Sequence, residues 1–353
     1  MNSLICLMGP GGVGKTTISA SIALALAHRG EKVVLLTVDP AKRLAQVLGI
    51  DQFSEELKTL PLESSFRGSL SAYWANGESA FEKLIDRHIG DSPAAKKIKS
   101  HSFFPLIKKH LTGVEDYLAL EKIIQLYKKD EYTYFVLDTP PARHAVEFLN
   151  SPARLENFFD DRVLKYFQRK SDKSSFLKKW IESGTRHAFS IFQKVFGENF
   201  FSELADLLGQ FGGLGKKLHQ NSQVASQWLS SSNAFYYFVA RPESSFSCEI
   251  LPLINQLKST IKANASGLLL NQSYCGLLNN MNGKTNDRGD TQWSEKQQDF
   301  IQYTTELENQ FDSELSQLAP SLNVSKIEKR PFASLDLSEL NKIGQKLLKD
   351  TKR

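Results

Sequence analysis

A glycine-rich run, Gly9-Pro10-Gly11-Gly12-Val13-Gly14-Lys15-Thr16-Thr17, constrains what this chain can fold into more than any other feature. It stands between an apolar run of strand length, Leu4–Met8, and an alanine-rich helical stretch, Thr16–His28. The spacing is G-x-x-x-x-G-K-[ST], in which glycines let successive backbone N–H groups curl around phosphates and the following helix N-terminus adds its positive dipole end. Lys15 is placed to bridge terminal phosphates, and the Thr16 hydroxyl to coordinate Mg²⁺. The same residues satisfy G-x-G-x-x-G through Gly9, Gly11 and Gly14, with Asp39 ending the next apolar run where a dinucleotide-binding fold places its ribose-binding acid. Helix–strand packing, however, has no need of Lys15-Thr16-Thr17. A phosphate loop also demands a later strand ending in an acid, which Phe135-Val136-Leu137-Asp138 supplies, so the dinucleotide reading is set aside.

Further short runs, Val33–Val38, Tyr134–Leu137, Phe235–Val239 and Leu268–Leu270, are apolar on both faces, as buried parallel strands are. Helical stretches such as Asp116–Lys128 and Arg241–Leu257 alternate with them, which predicts an α/β fold with a doubly wound, mainly parallel sheet. The region from Ser151 to about Ser230 has no convincing strand and holds ten of the 23 phenylalanines, so it reads as a helical insertion. A second helical stretch, about 80–111, carries the patch Phe103-Phe104-Pro105-Leu106. Residues 1–353 are thus expected to form one phosphate-loop domain with a helical subdomain inserted at about 80–111 and 151–230. Asn279–Glu295 is polar and reads as a surface loop.

Forty-four basic and 39 acidic residues leave a net charge of +5, well short of a basic stripe, and no specific nucleic-acid partner is expected. Cys6, Cys248 and Cys275 lack C-x-x-C spacing, so neither a disulfide framework nor a zinc site is suggested. Met1 leads directly into Leu4–Met8 without a charged n-region, and no stretch reaches the roughly 18 apolar residues of a membrane span. A cytoplasmic location is expected.

With the loop in place, Asp138 is the acid that holds the water shell of Mg²⁺. Asp39, in Val38-Asp39-Pro40-Ala41, is either a turn aspartate or, at the same sheet edge, a group that orients or deprotonates an attacking water. Gly11–Thr17, Thr37-Val38-Asp39-Pro40-Ala41 and Leu137-Asp138-Thr139-Pro140-Pro141 together resemble the arsenite-pump ATPase family, which includes the ATPase that delivers tail-anchored membrane proteins. The resemblance implies an ATP/ADP- and Mg²⁺-binding ATPase. It makes Gly11, Gly12, Val13, Gly14, Lys15, Thr16 and Thr17 the phosphate loop, with Thr16 the Mg²⁺ ligand and Asp138 its water-mediated partner. Lys15 and Asp39 take the catalytic roles, and Asn271 and the segment ending near Pro331 the adenine side. His144 falls where the family has a switch histidine, with a helix cap or a core position as the alternative.

Three departures from the family follow. Pro10 stands where members usually carry a signature lysine that reaches a partner subunit's phosphates. Lys42, Arg43 or Arg143, each of which reads alternatively as a solvated surface residue, or a paralogous subunit would then be the source of that charge. The C-x-x-C pair of the tail-anchored targeting ATPases is missing, so no zinc is expected at a dimer interface, and without a cysteine cluster arsenite efflux is disfavoured. The resemblance implies a homodimer or a heterodimer with a paralogue, handling a hydrophobic helical client or a membrane-associated protein. Alternatives are a partition-type ATPase that cycles on membranes or DNA and a nucleotide-binding scaffold with little turnover. Phe196, Phe200, Leu204, Leu207, Leu208 and Phe211 recur at helical spacing and read equally as a client groove or as core. Leu337, Leu340, Ile343, Leu347 and Leu348 form an apolar face amid lysines, read either as a final helix packed against the sheet or as a membrane-binding one.

Overall fold

The structure, a computed structural model, describes residues 2–38, 41–49, 56–74, 80–102, 104–105, 108, 113–158, 207, 210–211, 214–274, 295–329 and 336–350. The strands are β1 (Ser3–Met8), β2 (Lys32–Thr37), β3 (Lys58–Thr59), β4 (Ser69–Trp74), β5 (Tyr134–Asp138), β6 (Ala234–Ala240), β7 (Ala265–Ser273) and β8 (Val324–Glu328). The helices begin with α1 (Lys15–His28), α2 (Ala41–Leu48), α3 (Ala80–Ile89), α4 (Pro93–Lys99), α5 (Val114–Lys129) and α6 (Ala142–Leu149). They continue with α7 (Ser151–Phe158), α8 (Leu214–Leu229), α9 (Leu251–Thr260), α10 (Glu295–Leu318) and α11 (Leu337–Asp350).

The chain divides into two compact units. The first comprises Met1–Asn76, Lys122–Asn150 and Ser226–Arg353. Its sheet has the order β3-β4-β2-β5-β1-β6-β7-β8, parallel throughout except for β3 against β4. This is the doubly wound fold that the apolar runs predict. The central strands are apolar on both faces because helices cover both; β1 and β2 are each buried in five of six positions.

The α1 helix is buried along almost its whole length, as a helix apolar on every side must be. Its residues join one apolar cluster with Leu7, Leu35 and Val136 of the sheet and with Leu340 and Leu347 of α11. The apolar face of α11 is therefore spent on packing, which corrects the membrane-binding reading of this helix. Contact is close because Gly344 has no side chain: a Cβ there would lie 1.9 Å from the Ser21 carbonyl oxygen. Among the described residues no helix is long and apolar enough to cross a membrane.

The stretch expected to be helical over Arg241–Leu257 starts later. Arg241 and Ser244 close a turn, the Ser245 hydroxyl caps the Cys248 N–H, and a π-helical turn, Phe246–Ile250, leads into α9.

The second unit comprises Gly77–Glu121 and Ser151–Ala225. Every element described in it is helical. Phe81 stacks on Phe104 with ring centroids 5.4 Å apart and meets Phe211 at 6.1 Å. Leu207 and Phe211 are fully buried in this core, so the two described members of the Phe/Leu stripe are core residues. Phe103, Leu106, Phe196, Phe200, Leu204, Leu208 and the loop from Asn279 lie outside the described residues.

A buried ionic network also ties this unit together. Glu121, 1% exposed, lies 2.8 Å from Arg87 Nη1 and 2.7 Å from His88 Nε2, and it accepts from Tyr117 Oη and Asn221 Nδ2 at 2.9 Å each. Burial alone would raise the Glu121 pKa, but His88 and Arg87 outweigh it and hold the carboxyl below its ordinary value. A carboxyl depressed in the folded state stabilises the fold above the ordinary carboxylate range and loses that contribution as pH falls through its folded value.

Two outcomes are expected. Gly344→Leu lowers the urea midpoint, corresponding to about 2 kcal/mol of overpacking against α1. Glu121→Gln loses about 1 kcal/mol at neutral pH by removing the buried carboxylate that pairs with largely buried His88 and partly exposed Arg87. Followed by thermal unfolding from about pH 8 to about pH 3, its melting temperature falls less steeply on the acid side than that of the wild type; parallel profiles would refute the role given to Glu121.

Candidate nucleotide site

The carboxyl edge of the sheet is assembled by register. In the β1–β5 pair Leu7 faces Asp138, and in the β2–β5 pair Thr37 faces the same Asp138. The winding reverses around β1, and ligand crevices of open α/β sheets form at such points, beyond the strand ends. The loop Gly9–Gly14 leaves β1 there and enters α1. Gly14 caps the helix at φ 97°, a left-handed conformation suited to glycine, and no side chain caps the first turn. That leaves the positive end of a buried helix facing the loop.

Asp138 is fully buried, and its Oδ2 accepts hydrogen bonds from the Thr16 hydroxyl at 2.8 Å and the Thr37 hydroxyl at 2.9 Å. A buried carboxylate needs such donors to offset its lost hydration. Lys15, 5% exposed, turns its ammonium back into the loop, donating to the Gly9 carbonyl at 3.0 Å and the Pro10 carbonyl at 2.9 Å. The Gly9 carbonyl also accepts from the Ala142 N–H at 2.9 Å, and Thr139 donates its hydroxyl to the Leu7 carbonyl at 2.7 Å. The segment after β5 is thereby pinned to the loop.

A cavity of about 260 Å³ opens over this arrangement, lined by Gly12, Gly14, Lys15, Thr16 and Thr17 of the loop and by Gln46 and Val47 of α2. Of the residues expected at the site, Gly12, Gly14, Lys15, Thr16 and Thr17 line the cavity. Asp138 lies beneath it, and Asn271 reaches the loop from β7, donating Nδ2 to the Val13 carbonyl at 2.7 Å. Asp39, Pro331 and the side chains of Lys42, Arg43 and Arg143 lie outside the described residues. His144 stands on the exposed side of α6, 3.3 Å from Glu147. Sequence reasoning missed Gln46 and Val47, which carry no motif, and assigned no role to Thr37 although its partner Asp138 was recognised.

Fold and loop define the class: a P-loop NTPase fold of α/β type with a helical insertion. The chain belongs to the anion-transporting ATPase family, whose model matches residues 2–322. It is 31% identical over 164 residues to an Aquifex aeolicus protein provisionally named arsenical pump-driving ATPase 2, covering 44% of this chain and 51% of that one. It is also 31% identical over 148 residues to the ATPase GET3 of Malassezia globosa, covering 42% of each chain. To an ATPase ASNA1 homolog of Babesia bovis it is 33% identical over 155 residues, covering 43% of this chain and 39% of the other. The matched stretch thus spans about half or less of these curated relatives.

Cys6 lies at the centre of β1 with no exposed surface, and burial together with the charge of Asp138 pushes its thiol pKa far up. In the folded chain at about pH 8, iodoacetamide is expected to leave the Cys6 peptide unmodified while labelling exposed Cys248. Peptide mass mapping checks this; native labelling of Cys6 would contradict the burial of β1 beside the Asp138 strand.

Proposed function

We propose that the chain binds Mg-ATP on the Gly11–Thr17 loop, hydrolyses it to ADP and phosphate, and uses the resulting change of state to handle a hydrophobic helical client or a membrane-associated protein. The observation that carries this reading is the Thr16–Asp138–Thr37 hydrogen-bonded cluster at the foot of an α1 helix whose first turn no side chain caps. Family membership and the relatives' names as ATPases support it.

The backbone of Gly11, Gly12, Val13 and Gly14 and the first turn at Thr16 and Thr17 take the phosphates. The Lys15 ammonium exchanges two neutral carbonyl acceptors for charged phosphate oxygens, which bind it more strongly. The donor set fits Mg²⁺, a hard cation that retains several waters: a hydroxyl at Thr16, a buried carboxylate at Asp138 acting through water, and oxygens from the phosphates. When bound, the ion neutralises charge on the terminal phosphates. Asp39 orients the attacking water, and Asn271 and Pro331 take the adenine side. Because Pro10 cannot act as a lysine, charge near the terminal phosphate comes from Lys42, Arg43 or Arg143, or from a paralogous subunit in a dimer. Leu207 and Phe211 being core, client contact falls to other parts of the Phe-rich stretch.

Steady-state hydrolysis and ATP binding, measured with Mg²⁺ on the wild type, Lys15→Ala and Asp39→Asn, test the reading. Lys15→Ala is expected to lose ATP affinity at least about tenfold. Asp39→Asn is expected to keep affinity while turnover falls by about 100-fold or more. Wild-type binding without turnover above the Lys15→Ala background would reduce the chain to a nucleotide-binding scaffold.

A further inference from the structure

β7 is kinked near its carboxyl end. Gln272 has φ 59°, left-handed for a residue that carries a side chain, and the ladder with β8 slips between Asn271 and Ser273. Such a conformation persists only where its surroundings over-determine it, and a strand irregularity of this kind re-aims the neighbouring side chain. Here the surroundings are a buried carboxylate. Glu308 of α10, 5% exposed, accepts from the Ser273 hydroxyl at 2.7 Å and from the Tyr274 backbone N–H at 2.8 Å. Lys326 of β8 lies 3.4 Å from the same carboxylate and 2.8 Å from Asp312.

On the other side of the kink, Asn271 reaches the Val13 carbonyl. A carbonyl only accepts, so it is the amide nitrogen of Asn271 that faces the loop. Gly14 leaves room for it: a Cβ on Gly14 would lie 2.3 Å from that nitrogen. In a trans peptide the C=O and the next N–H point in opposite directions. A bond that holds the Val13 carbonyl therefore also sets the direction of the Gly14 N–H, and Gly14 lines the cavity.

We propose that Asn271 is a positioning residue for the phosphate loop, held on the Val13 carbonyl by the β7 kink that Glu308 clamps. Grip on phosphate then depends on a residue of the base side and on a carboxylate outside the cavity lining. The inference rests on the reading of the loop as a nucleotide site and adds to the adenine contact that the family resemblance implies for Asn271.

Inorganic tripolyphosphate carries the phosphates without a base, so it separates the two roles. Its affinity and that of ATP, with Mg²⁺, are measured by calorimetry on the full chain as wild type, Asn271→Ala, Glu308→Ala and Glu308→Gln. Asn271→Ala is expected to weaken tripolyphosphate about fivefold, the worth of one hydrogen bond. Glu308→Ala weakens it similarly with Asn271 still present, and Glu308→Gln, which keeps an acceptor for the Tyr274 N–H, recovers most of the loss. Should Glu308→Ala fail to fold, Ser273→Ala removes one of the two clamp bonds and is measured in its place. If Asn271→Ala weakens ATP but leaves tripolyphosphate unchanged, Asn271 contacts the base alone and the proposal falls. If the Glu308 variants lower the melting temperature without moving tripolyphosphate affinity, the clamp is refuted. A wild type that binds neither ligand overturns the nucleotide reading and this inference with it.

Discussion

The site depends first on a single buried carboxylate. Asp138 sits at the end of β5, and β5 lies between β1 and β2, so one side chain serves the strand that carries the phosphate loop and the strand that leads to Asp39. Thr16 and Thr37 donate to this acid, which has no exposed surface, and so offset part of its lost hydration. Each threonine comes from a different element, so the strand register and the helix start must both be correct for the acid to be tolerated. Function and fold thus share one constraint.

The loop itself is held from both halves of the sheet. On the β5 side the Gly9 carbonyl takes the Ala142 N–H, and on the β7 side the Val13 carbonyl takes the Asn271 amide. Its shape is fixed near each end by residues distant in sequence, while Lys15 shares the Gly9 carbonyl and holds that of Pro10. Preorganisation of this kind reduces the ordering cost of binding, and the loop reaches it with a proline at position 10.

How much of this was legible in the sequence follows the physics of each part. Strands β1, β2, β5, β6 and β7 announce themselves because burial on both faces demands unbroken apolar runs. β4 reads Ser-Leu-Ser-Ala-Tyr-Trp and β8 Val-Ser-Lys-Ile-Glu; both mix polar and apolar residues, β8 as a sheet edge, and β3 is only two residues long. The placement of Lys15, Thr16 and Asp138 around one loop was legible because the motif fixes their spacing to glycines and strand ends. Gln46, Val47 and Glu308 were not, since their positions arise from tertiary contacts that leave no local pattern. The bond from Asn271 to the Val13 carbonyl was invisible for the same reason, and the late start of α9 reflects turn chemistry at Ser244 and Ser245 that outweighs helical periodicity.

The packing of α11 on α1 has a consequence for how the protein comes into being on the ribosome. The helix that follows the phosphate loop is made well before α11, which covers it at Ser21 and Ala25. Closing contacts between such distant segments is slow. Until α11 emerges, one side of an almost wholly apolar helix waits uncovered. A nascent chain of this kind therefore carries an adhesive strip along α1 until α11 arrives to cover it.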